Sequence, residues 1–252
     1  LGDVYKRQQL KEQIDKSGVL ILGEMHGVQE NPQIIYTLAQ KFGIKNFALE
    51  WDKELKTMVD EYLTTGNLDY DKIAKSPDGR ITAGHFVMLK KLHDEGKLGR
   101  LICFDEEFRN WKDWGERDET MAKNILSHLN GEPTIVIAGN LHTQTAPVAV
   151  EGRRQQPMGE HLKKVLPGAP IVSIDYLSGQ YYNIGLEEFA DQRKPDSKTA
   201  LREDTDSKYT LELPEANPAT VPNTELQKHS AAFSEALEKA KKSLESKQDS
   251  HV

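Results

Sequence analysis

The chain has 252 residues, 37% of them hydrophobic and 29% charged, with 40 acidic against 33 basic side chains for a net charge of −7. That length supports one well-buried core or two halves sharing a sheet. An acidic chain without basic runs interleaved with aromatics is not built to bind nucleic acid. No apolar stretch approaches the roughly 20 residues of a membrane helix, and the single cysteine, Cys103, excludes an intrachain disulfide or a multi-cysteine metal centre.

Leu1 to Gln8 lacks an initiating methionine and reads like translated sequencing adapter, so residues 1–8 are set apart as non-native. A native start lying elsewhere leaves the compartment open between the cytoplasm and a periplasmic or lipid-anchored location. Residues 9–213 are expected to form a single α/β domain. Residues 214–252 are read as a proline-broken linker followed by a charged helix.

In chain order, Gln9 to Lys16 spaces Leu10 and Ile14 as a helix leading into a first strand, Val19 to Leu22. Asn31-Pro32 starts a helix with Ile34, Ile35, Leu38 and Phe42 on one face, and Gly43 closes it. Asn46 to Trp51 is a second strand, and its Glu50 should surface at the same edge as the end of the first. Helical spacing returns over Lys53 to Leu63 and Thr82 to Leu92, separated by a polar stretch, Thr64 to Arg80. Leu101 to Phe104 is a third strand running into Asp105-Glu106-Glu107, a charge run that solvates or binds a cation.

A long helix over Trp114 to Leu129 precedes a fourth strand, Thr134 to Ala138, and a short helix begins at Pro157. Ile171 to Ile174 is a fifth strand, with Gln180 to Ile184 paired to it or at the edge. Glu187 to Ser207, charged and poor in large apolar residues, predicts a loop or disorder. Tyr209 to Leu213 returns as an edge strand, and Glu225 to Lys247 forms a helix with Phe233, Leu237 and Leu244 as a thin apolar seam. Alternating strands and helices of this kind imply right-handed crossovers and a mostly parallel central sheet flanked by helices.

Two segments share one design. Val19 to Leu22 runs into Gly23-Glu24-Met25-His26, and Ile135 to Ala138 runs into Gly139-Asn140-Leu141-His142. Each is a strand apolar on both faces that ends in G-x-x-H, which divides the domain into two related halves. Ligands gather beyond the carboxyl ends of parallel strands, so the two histidines would share a cleft if their strands are neighbours. Glu24 and Glu30 flank His26, and a carboxylate on one ring nitrogen makes the other more basic, as a general base or metal ligand requires.

Arg109, Arg117 and Asp118 frame the start of the long helix. An arginine there could hold a substrate carboxylate or an oxyanion while Asp118 orients it, or these could be first-turn surface charges. His85, His93, His128, His161, His229 and His251 carry no spacing signal and are read as structural.

Taken together, Gly23-Glu24-Met25-His26-Gly27-x-x-Glu30, Ala48-Leu49-Glu50, Arg117-Asp118-x-x-Met121-Ala122-x-Asn124 and Ala138-Gly139-Asn140-Leu141-His142 resemble the superfamily joining erythromycin esterases, the haem-binding uptake protein ChaN and the Tiki/TraB proteins. The resemblance spans about residues 17 to 185 and is most like a ChaN-like domain. The esterase branch implies metal-independent hydrolysis, with His26 activating water, Glu24 and Glu50 as its partners, and Arg117 and His142 required. This chain has one residue between Glu24 and His26 where the esterases have two. The Tiki branch implies a divalent metal held by His26, His142 and Glu50, and the ChaN branch implies haem binding without catalysis, for which Tyr181 and Tyr182 are further possible ligands.

The leading expectation is a hydrolase of small-molecule or peptide substrates. His26, Glu24, Glu50, Arg117 and His142 carry its chemistry, and Glu30, Asp118 and Asn140 contact substrate. The competing expectation is a haem- or metal-binding protein.

Overall fold

A computed structural model describes residues 2–69, 79–106, 111–189, 198–205, 207–219 and 242. Its frame is a seven-stranded sheet built from β1 (Val19–Glu24), β2 (Asn46–Asp52), β3 (Leu101–Asp105), β4 (Thr134–Gly139), β7 (Ile171–Tyr176), β10 (Ala200–Thr205) and β11 (Lys208–Leu213). The strands lie in the order β10-β11-β7-β1-β4-β2-β3, and all pair in parallel except β10. The helices are α1 (Gly2–Ser17), α2 (Asn31–Phe42), α3 (Lys56–Thr65), α4 (Ala83–Asp94), α5 (Trp114–His128) and α6 (Met158–Val165).

The alternation of side chains along each strand sorts the core into two layers. Leu20 and Leu22 of β1, Ile135 and Ile137 of β4, and Phe47, Leu49 and Trp51 of β2 face α1 to α4. Val19, Ile21, Val136, Ala138 and Ala48 face α5 and α6 on the other side. Both faces are therefore covered, which is why β1, β2, β3 and β4 are buried at every position.

The strand order explains where the chemistry collects. From β1 the chain crosses over β4 to reach β2 and β3, and from β4 it crosses β1 in the opposite sense to reach β7 and then β11. The winding direction reverses between β1 and β4, and such a switch point opens a crevice beyond the strands' carboxyl ends. The two strands that end in G-x-x-H are neighbours, paired in register from Val19↔Thr134 to Glu24↔Gly139.

Several sequence expectations are corrected. Gln180 to Ile184 does not pair with the fifth strand: β8 (Gln180–Asn183) forms its own hairpin with β9 (Gly185–Glu188), as β5 (Val148–Val150) does with β6 (Arg153–Gln155). Glu187 to Ser207 is not all loop, since β10 lies within it and pairs antiparallel to β11. Its Arg202-Glu203-Asp204 run suits an edge strand, where charge discourages further pairing. That pairing moves β11 inward from the edge.

Lys53 to Leu63 divides into a 3-10 turn, Lys53–Leu55, and α3. The N-terminal helix starts at Gly2, so the adapter-like residues continue it, and Leu10 and Ile14 are buried as their spacing predicts. Residues 70–78, Arg109, Glu107 and, apart from Lys242, the expected helix over Glu225 to Lys247 lie outside the described residues.

Candidate active site

Each G-x-x-H run turns sharply off its strand, and the two turns interlock. The Asn140 N–H donates to the Glu24 carbonyl at 2.9 Å, joining the ends of β1 and β4. Gly23 and Gly139 are needed for close approach. A Cβ on Gly23 would stand 2.4 Å from Thr143 Oγ1 and 2.6 Å from Asn140 Oδ1, and one on Gly139 would stand 3.0 Å from His26 Nε2 and 3.6 Å from His142 Cδ2. Both imidazoles therefore close over one point above Gly139.

Glu50, at the end of β2 and 2% exposed, sits between them. Its Oε2 is 3.4 Å from His26 Nε2 and accepts the Gly139 N–H at 2.8 Å, and its Oε1 is 3.4 Å from His142 Nε2. The outer ring nitrogens face separate carboxylates. His26 Nδ1 lies 3.1 Å from Glu24 Oε1, and His142 Nδ1 lies 2.8 and 2.9 Å from the two Asp118 oxygens. Asp118 also accepts the Met158 N–H at 2.7 Å, and the Trp114 indole stacks on His142 with ring centroids 4.8 Å apart.

Two arginines stand behind Glu50. Arg117 Nη2 donates to Glu50 Oε1 at 3.1 Å and to Asp105 Oδ2 at 2.6 Å, while its Nε donates to Asp105 Oδ1 at 3.1 Å. Arg80 Nη1 lies 3.3 Å from Glu50 Oε1 and 3.0 Å from Asp105 Oδ2. A cleft of about 290 Å³, near the lower bound for small-ligand sites, opens over this cluster. Its wall includes His26, Glu50, Arg80, Asn140, His142 and Tyr181.

The charges set the protonation states. Burial disfavours the imidazolium of His26, but the Glu50 carboxylate and the hydrogen bond with Glu24 outweigh it and lift the pKa to about 10. Burial likewise works against ionised Glu50, yet His142, Arg80 and His26 hold its carboxyl well below the usual range. Burial raises Asp118, opposed by its hydrogen bond with His142.

His26, Glu24, Glu50, Arg117, Asp118 and His142 thus converge on one locus. Glu30 does not join them: its carboxylate accepts from the Asn217 backbone N–H at 3.0 Å and from Asn217 Nδ2 at 2.7 Å, pinning the segment after β11 to the His26 loop. Asn140 lines the cleft, as does Tyr181, whose ring packs on Phe189, whereas the Tyr182 hydroxyl donates to the Ile184 carbonyl.

Sequence reasoning missed Arg80, Asp105 as an arginine anchor, and Trp114. Arg80 closes a polar stretch without periodicity, and nothing local marks it. Among the described residues, no three His, Cys, Asp or Glu side chains are disposed to hold a metal ion. With two guanidinium groups within 3.3 Å of the Glu50 carboxylate, a set of His26, His142 and Glu50 does not fit a divalent cation.

No family model matches the chain, and no curated protein matches it. Solved structures do. A succinoglycan biosynthesis protein superposes with a TM-score of 0.62 at 12% identity, covering 84% of this chain and 91% of that one. A protein from Bacillus cereus superposes with a TM-score of 0.58 at 11% identity, covering 81% and 90%. A variant of the erythromycin esterase EreC in its open conformation superposes with a TM-score of 0.53 at 14% identity, covering 74% and 78%. At such identities the likeness is one of fold: this chain has the α/β architecture that erythromycin esterase also has.

Proposed function

We propose that the chain is a hydrolase of small ester-type substrates that works without a metal ion, with His26 as the proton acceptor. The observation that carries this reading is the Glu50 carboxylate set between the Nε2 atoms of His26 and His142, 3.4 Å from each, under an open cleft. Paired imidazoles, each braced through Nδ1 by its own carboxylate, suit proton transfer to and from a reacting centre.

In this reading a water enters beside His26 Nε2. His26 takes its proton while the water oxygen bonds to the substrate carbonyl carbon, and the carbonyl electron pair moves onto oxygen. Arg80 in the cleft wall and His142 stabilise that oxyanion. Collapse breaks the bond to the leaving oxygen, which takes the proton back from His26. Arg117, with its donors on Glu50 and Asp105, acts as a positioning residue, and Asp118 and Trp114 fix the His142 ring.

The test is turnover of a panel of nitrophenyl esters of short acids, measured with and without chelator. Hydrolysis that survives chelator and falls on the order of 10²–10⁴-fold in His26→Ala supports the reading. Equal turnover per folded molecule in His26→Ala would sink it. A saturable haem Soret shift removed by His142→Ala, in a protein without turnover, would replace it with a binding role.

A further inference from the structure

A void of about 10 Å³ adjoins the cleft, sharing Glu24, His26, Glu50 and Arg80 with it and walled further by Leu49, Trp51, His85 and Ile137. That is about the smallest space that holds one water, and a buried water needs two or more polar partners. Two groups in the wall answer that need.

The first is Glu24, which is 2% exposed. Its Oε1 is engaged by His26, but its Oε2 is buried and has no hydrogen-bond partner among the described residues. An orphaned carboxylate oxygen of this kind is costly in a packed interior.

The second is His85, 1% exposed, in the first turn of α4. Thr82 Oγ1 caps that helix by accepting the His85 backbone N–H at 3.3 Å and lies 2.8 Å from His85 Nδ1. That hydroxyl accepts from the backbone and still has its own proton to donate to Nδ1; in the tautomer that takes it, the ring proton is on Nε2. Burial pushes the pKa of His85 down, against the pull of Glu24, so the ring is neutral with one N–H to give. The edge-on contact with Trp51, centroids 5.9 Å apart, holds the ring in the wall of the void.

We propose that a single buried water bridges His85 Nε2–H and Glu24 Oε2, which makes His85 a positioning residue for His26. The water accepts from His85 and donates to Glu24. With Oε2 tied down, the carboxylate plane is fixed and Oε1 stays aimed at His26 Nδ1. The chain Thr82–His85–water–Glu24–His26 then ties the N-cap of α4 to the imidazole assigned the proton transfer. The bridge rests on the void and the orphaned oxygen; its relevance to turnover rests on the hydrolase reading above.

The experiment needs no substrate. A high-resolution crystal structure of the unaltered protein is expected to show one water within hydrogen-bond distance of both Glu24 Oε2 and His85 Nε2. NMR titration of the His26 ring is expected to shift downward by about one pH unit in His85→Phe, which fills the space but donates nothing, and by less in His85→Gln. A dry void, or a water that leaves Glu24 Oε2 untouched, overturns the proposal. So does a His26 titration unmoved in a folded His85→Phe protein, because a merely core-filling His85 would alter stability alone. Should His85→Phe not fold, His85→Gln and the crystal structure decide. Absence of esterase turnover would remove the hydrolase reading while leaving these two readouts intact.

Discussion

Asp118 grips the Nδ1 of His142 with both carboxylate oxygens, at 2.8 and 2.9 Å, while accepting the Met158 N–H with one of them. The second turn of α5 therefore orients a histidine from the β4 loop and anchors the start of α6. Asp118→Asn keeps an acceptor for Met158 but presents His142 with a weaker, neutral partner. We expect kcat for ester hydrolysis to fall on the order of 10²-fold, with KM little changed. Stability should drop by about 1–3 kcal/mol in urea denaturation. An unchanged kcat would mean that the His142 ring needs no carboxylate.

Gly139→Ala is a sharper probe of convergence. The added Cβ would lie 3.0 Å from His26 Nε2, while the backbone at Gly139 needs no positive φ. His26, partly open to the cleft, can swing away, so activity should fall much more than stability does. Steady-state kinetics beside thermal denaturation checks this. Equal losses in both would show that the β4 end, and not the imidazole, absorbs the strain.

His26 carries a pH signature of known sign. Its folded-state pKa of about 10 lies above the ordinary value of 6.5. The stabilisation from its charged form is therefore fully present below about pH 6.5 and is lost as pH rises through about 10. One group contributes a slope of at most about 1.4 kcal/mol per pH unit across that window. Urea midpoints measured from pH 6 to 10 should decline, and His26→Gln should flatten the decline. The same lift makes the neutral base a minor form at pH 7, so hydrolysis should accelerate well above pH 7.

On the acid side, Glu50 gives the opposite dependence. Its carboxyl is held well below the usual range, so its contribution is present above about pH 4.5 and lost as pH falls through the depressed value.

Arg80 and Arg117 together neutralise Glu50 and Asp105, both buried. Removing one cation leaves a buried carboxylate undercompensated. Arg80→Met should cost about 3–5 kcal/mol of stability. Arg117→Lys keeps the charge but loses the two-nitrogen grip on Asp105, and should cost less while still lowering kcat. Denaturant midpoints for the two variants give the comparison; a neutral Arg80→Met would mean that Asp105 is satisfied without it.

Much of the frame was legible from local pattern. The apolar runs at Val19 and Ile135 read as strands covered on both faces, as they are, and G-x-x-H put His26 and His142 at their ends. The β10 edge was illegible because its Arg202-Glu203-Asp204 stretch carries the composition of a loop, and only pairing with β11 makes it a strand. Glu30 looked like a partner of His26 by spacing, yet the turn after Gly27 carries it to Asn217.

Sequence alone determined the strands of the sheet other than β10, and which side chains leave β1, β2 and β4 at the carboxyl edge, because strand periodicity and burial are local properties. Tertiary structure decided that β1 lies beside β4, that Glu50 falls between the two imidazoles, and that Arg80 and His85 approach from a segment with no motif. Those outcomes depend on crossover direction and on long-range charge pairing, and neither leaves a periodic trace in the chain.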